Sequence, residues 1–281
     1  MNHPVAQIVA LTCHGNAILC GHGTAPFFPN NSTCRFCERV SFVTLDKTWL
    51  GKTKELDTAQ TPDQWFALLK SSGAWGIRLS RAPQGLSWLS DRMSAGLVDG
   101  GGTWTLEVLF PDQKSERWVA GWQVTNPQAP DQRIWRVTYR RGSRSRTRPL
   151  PPVDLSDLAA ELHASLEATA DFSARKSLDT FTKAFDEAMD TLSTKGQVRH
   201  GYHQDLAPHG FLRYDEAMLL DACQRAWVFG GMGSWNDLGF EGDDQKLYER
   251  LSDRLFRAVN EAIEAAATST FKEGRTAPTR P

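Results

Sequence analysis

The sequence predicts an α+β fold, with an N-terminal antiparallel β-rich domain carrying one or two helices over residues 1–148 and a C-terminal all-α helical bundle over 149–281. Three observations carry that reading. Tryptophans and β-branched residues alternate between turn residues as far as about residue 140. From Val153 onward apolar residues recur every three or four positions. The charge divides at the same place: residues 1–150 hold eighteen Lys and Arg against eleven Asp and Glu, and residues 151–281 hold fourteen against twenty-two, although the whole chain is at −1.

The first expected element is a hairpin. Gln7–Cys13 and Ala17–Cys20 are short apolar runs on either side of His14-Gly15-Asn16, a turn composition. Arg39–Leu45 alternates and is β-branched, and reads as a third strand. Thr61-Pro62-Asp63-Gln64 is a hydroxyl cap followed by proline at the first helical position, so a helix starts there. Trp65, Phe66, Leu68 and Leu69 fill its apolar face, Gly73 ends it, and Trp75–Leu79 returns as a strand. After three glycines at 100–102 comes a meander of Trp104–Phe110, Trp118–Thr125 and Ile134–Arg140, broken at Pro111-Asp112 and Asn126-Pro127. So many aromatics need one face packed on the 61–72 helix and the other partly covered or used for binding.

In the second half, Leu155, Leu158, Leu162 and Leu166 mark one amphipathic helix, and Leu178, Phe181, Phe185, Met189 and Leu192 a second. Tyr214, Met218, Leu219, Ala222 and Ala226 mark a third, and Leu247, Leu251, Leu255, Val259 and Ile263 a long fourth. Order is expected to about residue 267, with a frayed tail from Thr268.

Composition narrows the setting. No run approaches the ~20 apolar residues of a membrane span, and the first Lys or Arg is Arg35, which does not suit a secretory leader. Five cysteines, an odd number, do not suit a disulfide framework. The expectation is a cytoplasmic, bacterial-type chain that neither spans nor lines a membrane.

Four segments are candidates for chemistry. Cys34-Arg-Phe-Cys37 has the spacing by which two thiolates hold two corners of a zinc ion, and either Cys20 with His22 or Cys13 with His14 would supply the others in a closed, structural site. The alternative is that these cysteines are small apolar core residues, the pair lacking the βαβ context of a redox motif. The His200–His209 loop, with His203 and Asp205, offers imidazoles and a carboxylate for a metal-dependent hydrolase or nuclease, or is a solvated loop.

The Gly230–Asp244 loop offers exposed backbone N–H groups and clustered carboxylates, or a helix stop and start. Its Gly231, Gly233, Trp235, Asn236 and Asp237 are candidate partner contacts. Trp135, Arg136, Tyr139, Arg140, Arg141, Arg144 and Arg146, with Arg133 and Arg148, interleave guanidinium groups with aromatic rings as nucleic-acid or protein partners require. Followed by Pro149, Pro151 and Pro152, the same run also suits a linker or a surface docked on the acidic helices.

Leu50-Gly51-Lys52-Thr53 lacks the earlier glycine of a phosphate loop, and Ser234 lacks the flanking pattern of a nucleophile elbow. The expected function is therefore a non-enzymatic interaction or accessory protein that binds a protein or nucleic-acid partner through the Trp-rich sheet and the Arg-rich stretch. The second reading is a metal-dependent hydrolase or nuclease using the His200–His209 loop or the Gly230–Asp244 loop.

Overall fold

The structure, a computed structural model, describes residues 1–47, 53–84, 89–98, 100–142, 144–147, 149, 153–193 and 201–271. The fold is α+β. Helix α1 (His3–Leu19) leads into β1 (Cys37–Lys47), β2 (Thr53–Ala59), α2 (Pro62–Ser71), β3 (Gly76–Ala82) and the single turn α3 (Asp91–Ser94). Then come β4 (Thr103–Leu109), β5 (Lys114–Val124), β6 (Trp135–Arg141), the two-residue β7 (Ser145–Arg146), and the helices α4 (Leu155–Arg175), α5 (Asp179–Ser193), α6 (Tyr214–Ala226) and α7 (Gly242–Ser269). Among the described residues no helix is long and apolar enough to cross a membrane.

The strands form one sheet in the order β2-β1-β6-β5-β4-β3, with β7 continuing the β6 side of β5. It is mixed, because β1 pairs β6 in parallel while the other pairs are antiparallel. β2 is an edge strand that the apolar pattern does not announce, since Lys54, Glu55 and Asp57 are exposed along it.

The expected N-terminal hairpin is instead α1. Asn2 caps it by accepting the Val5 N–H, Pro4 sits in its first turn, and Val5 to Ala17 are all buried. A helix buried on every side shows no amphipathic period, so its short apolar runs resemble strands. Gly15, read as a turn residue, is there for packing: a Cβ would lie 2.3 Å from Ile77 Cδ1.

Asn16 serves the sheet edge. Its Oδ1 accepts the Ile77 N–H at 2.7 Å and its Nδ2 donates to the Ile77 carbonyl at 2.9 Å. Two residues on, Thr268 Oγ1 accepts from Leu79 N–H at 3.1 Å and donates to the Leu79 carbonyl at 3.0 Å. Glu264 accepts the Arg81 N–H at 3.2 Å. Side chains of α1 and α7 thus stand in for a neighbouring strand along β3, satisfying backbone groups that would otherwise be orphaned.

Helices α1 and α2 cover one sheet face. Phe42 stacks between Trp65 (ring centroids 4.3 Å apart) and Tyr139 (5.1 Å), and Trp118 meets Phe42 and Trp65 edge-on. Leu68, expected on the buried face of α2, is exposed. In the second half Trp235 is enclosed by Phe172, Phe181, Phe185 and Tyr248. The buried cluster runs without a break from Val5 to Ala267. Thr268 to Phe271, expected to fray, are held: Thr270 is buried and accepts from Asn16 Nδ2 at 2.8 Å.

Candidate functional site

Cys34 and Cys37 lie beside α1, where Gln7 Nε2 donates to Thr33 O at 3.0 Å and to Cys37 Sγ at 3.5 Å, and Tyr139 donates to Gln7 Oε1. Burial pushes the Cys37 thiol up to about 11 and Cys34 higher still, so both are protonated rather than poised as ligands. Cys20 and His22 are not brought to them. Cys20 follows Gln7 by thirteen residues of helix, about 20 Å at 1.5 Å per residue, and the His22 ring packs on Phe211. Among the described residues no three His, Cys, Asp or Glu side chains are gathered as metal ligands.

Part of the histidine loop is drawn inward; His200 lies outside the described residues. His203, 3% exposed, has Nδ1 2.8 Å from Ser32 Oγ. Burial first, then the neighbouring His3 and the N-terminal ammonium, push its imidazole down to about 4. This resembles a serine and its base, but the proton inventory differs. Asp205 accepts from both Ser32 Oγ–H and Ser32 N–H. A carboxylate cannot donate, so the hydroxyl proton points to Asp205 and His203 Nδ1–H donates to Ser32. The ring therefore offers Ser32 no basic nitrogen.

The nearby backbone donors are also occupied: Thr33 N–H by Asn31 Oδ1 and Cys34 N–H by Asn31 O, leaving no oxyanion hole at this turn. The arrangement fastens the 201–211 loop to residues 31–34, a tie to which Asn31 Nδ2 and His14 Nε2 add bonds to the Asp205 carbonyl.

The glycine-rich segment is built around a buried anchor. Trp235 Nε1 donates to Ser252 at 2.7 Å, and Asn236 exchanges bonds with Arg92, whose Nε reaches Asp253 at 2.6 Å. Asp237 accepts from Gly233 and Ser234 N–H groups, Gly233 has φ 79°, and a Cβ on Gly96 would strike the Gly230 backbone at 2.3 Å. Trp235 and Asn236 are therefore enclosed, and Met232 projects into solvent in their place.

Strand alternation separates what the sequence interleaves. Val137 and Tyr139 are buried under the helices, and Arg136 and Arg140 point to the opposite face. The arginines are met by carboxylates of the same half: Arg136 by Glu38, Arg140 by Glu55, Arg141 by Glu116 and Arg144 by Asp112. Arg141 and Arg144 lie over the rings of Trp118 and Phe110, which are themselves buried, and none of these ion pairs reaches the acidic helices. Arg148 lies outside the described residues.

What the fold does assemble is a cleft of about 1460 Å³ at the junction of the two halves. Its floor is the outer sheet face, with Arg78 and Glu107 paired at 2.9 Å and Ser115 donating to Glu107 at 2.6 Å. One wall is α7, through Glu261, Glu264 and Ala265. The other is Ser145, Arg146 and Thr147 with Val153 and Leu158 at the start of α4, and Trp75 and Phe110 line it as well.

Burial, with Glu261 nearby, raises Glu264 above the usual carboxylate value despite the Arg81 N–H and charge. Sequence reading did not single out Trp75, Arg78, Glu107 or Arg117. The available signal was a lone charge in each of two apolar strands, Gly76-Ile-Arg-Leu79 and Leu106-Glu-Val-Leu109.

No family model, curated protein or solved structure matches the chain. Fold and site together define an α+β protein with a junctional cleft larger than the roughly 300–1,000 Å³ usual for small-molecule pockets.

Proposed function

We propose that the chain is a non-enzymatic interaction protein that holds a segment of a partner polypeptide in the junctional cleft. The observation that carries this is the cleft itself, about 1460 Å³, lined by apolar side chains from both halves and rimmed by charges. Trp75 and Val153 stand about half exposed there, as anchor positions for a partner do. A strand-bearing first unit and a helix-bearing second one, meeting at residues 145–147 and 153–158, are part of the same reading. A reducing, cytoplasmic setting suits the five free thiols.

Nucleic acid is less favoured because the rings beside the arginines, Phe110, Trp118 and Tyr139, are buried, and Arg136, Arg140, Arg141 and Arg144 are each met by a carboxylate. The metal-dependent hydrolase or nuclease is less favoured because, among the described residues, no three such donors are gathered as ligands and Ser32 lacks a base. The test is selection from a displayed random-peptide library on the whole chain, followed by hydrogen-exchange mapping. Selected peptides should protect Trp75, Arg117 and 153–158, and lose binding to Val153→Asp and Trp75→Ala. Peptides that protect another surface, or bind both variants unchanged, would overturn the proposal.

A further inference from the structure

The charges around the cleft are sorted by sign, and from that sorting we infer that the segment it takes is an extended, dipolar stretch of polypeptide, basic at one end and acidic at the other. The inference rests on the polypeptide reading above and narrows it.

The acidic side is α7, where Glu261 and Glu264 sit one turn apart and both line the cleft. Glu264 is engaged by the Arg81 backbone N–H, and Glu261 is exposed. The floor cancels itself: Arg78 and Glu107 occupy paired positions on β3 and β4 and form a buried ion pair. Beyond it, Arg117 pairs in register with Glu107 from β5, at 4.0 Å and with about half its side chain exposed. Arg146 is also exposed on this side, its Nη2 3.5 Å from the neutral amide of Gln113.

The row across the cleft therefore reads negative on α7, positive, negative, then positive on β5 and β7. Its inner pair is neutralised internally, which leaves a negative side and a positive side. One helix-to-strand distance and two strand spacings separate them, on the order of 20 Å, the span of about six extended residues. Trp75, about half exposed, and Leu158 line the cleft as apolar surface for the intervening side chains, with the buried Leu109 and Phe110 behind them. A uniformly charged partner would be repelled at one side, whereas a dipolar one is matched at both.

The experiment is the same library selection, run on the wild-type chain and on Glu261→Arg and Arg146→Glu, both at exposed positions. Unchanged thermal unfolding serves as the folding control. Wild-type selections should enrich Lys or Arg about six residues from Asp or Glu, with apolar residues between. Glu261→Arg should turn the basic end acidic, Arg146→Glu should turn the acidic end basic, and each swap should weaken wild-type-selected peptides about tenfold. Cleft-bound peptides with no charge pattern, or with a pattern the swaps leave unaltered, would overturn this inference and leave the polypeptide reading standing. Peptides that ignore Val153→Asp and Trp75→Ala would overturn the polypeptide reading itself.

Discussion

At Trp235 and Trp65 the same residue type is used in two ways. Trp235 spends its indole N–H on Ser252 and its ring on four aromatic neighbours, whereas Trp65 stacks on Phe42 and its N–H meets no acceptor among the described residues. Trp235→Phe should therefore cost about 1–2 kcal/mol, through the lost bond and volume. Trp65→Phe should cost less, and Trp235→Ala about 3–5 kcal/mol by opening a cavity. Urea unfolding midpoints measure all three.

His203 makes a pH prediction. Its folded value, about 4, lies below the ordinary 6.5, so between those values the unfolded chain binds a proton that the folded chain refuses. Stability is then full above pH 6.5 and falls as pH drops toward 4, by on the order of 3 kcal/mol. Burial lowers His3 and His14 as well, with the same sign. His203→Asn, which retains a donor for Ser32, should flatten part of that slope in denaturation curves taken across the window.

At the scale of elements, the edge of β3 is where α1, α7 and the sheet become one structure. Asn16→Leu would leave the Ile77 N–H and carbonyl without partners, at about 2–4 kcal/mol. Thr268→Val, nearly the same shape, should cost about 1–3 kcal/mol at Leu79. Hydrogen exchange gives the local readout: the Ile77 amide should speed up in the first variant and the Leu79 amide in the second, while the β4–β5 amides stay protected. Equal exchange in both variants would mean that the edge is covered by packing rather than by these bonds.

For the whole molecule, the charge asymmetry between halves does not draw the arginine run onto the acidic helices. The arginines find carboxylates within their own half, and the halves meet instead through the buried bond of Asn16 with Thr270 and the part-buried contacts of Ser32 with Asp205 and Arg92 with Asp253. The buried face of α7, including Ile263, Ala266 and Ala267, belongs to the same continuous cluster as α1 and β3. Residues 153–271 expressed alone should therefore unfold without a sharp calorimetric transition, and adding residues 1–149 in trans should restore one.

Where a segment's apolar residues follow one period and its ends carry specific turn chemistry, the sequence alone was enough. The Thr61 cap with Pro62, the alternation of Trp104 to Phe110, and the spacing of Leu155 to Leu166 and Leu247 to Ile263 each define their element, because an exposed face leaves a period to read. Burial on all sides erases that period, so α1 was legible only once packed, with Gly15 making room for Ile77 and Asn16 serving an edge sixty-one residues away.

The candidate site followed the same rule. Local motifs drew attention to Cys34, His203, Arg136 and Trp235, which the fold largely uses to hold itself together. The cleft draws on Trp75 and Arg78, on residues 109–117, 145–147 and 153–158, and on residues 261–271, and no local pattern links them. Tertiary structure decided it, because strand pairing aligns Arg78, Glu107 and Arg117, and the docking of α7 on the β3 edge places Glu261 and Glu264 beside them.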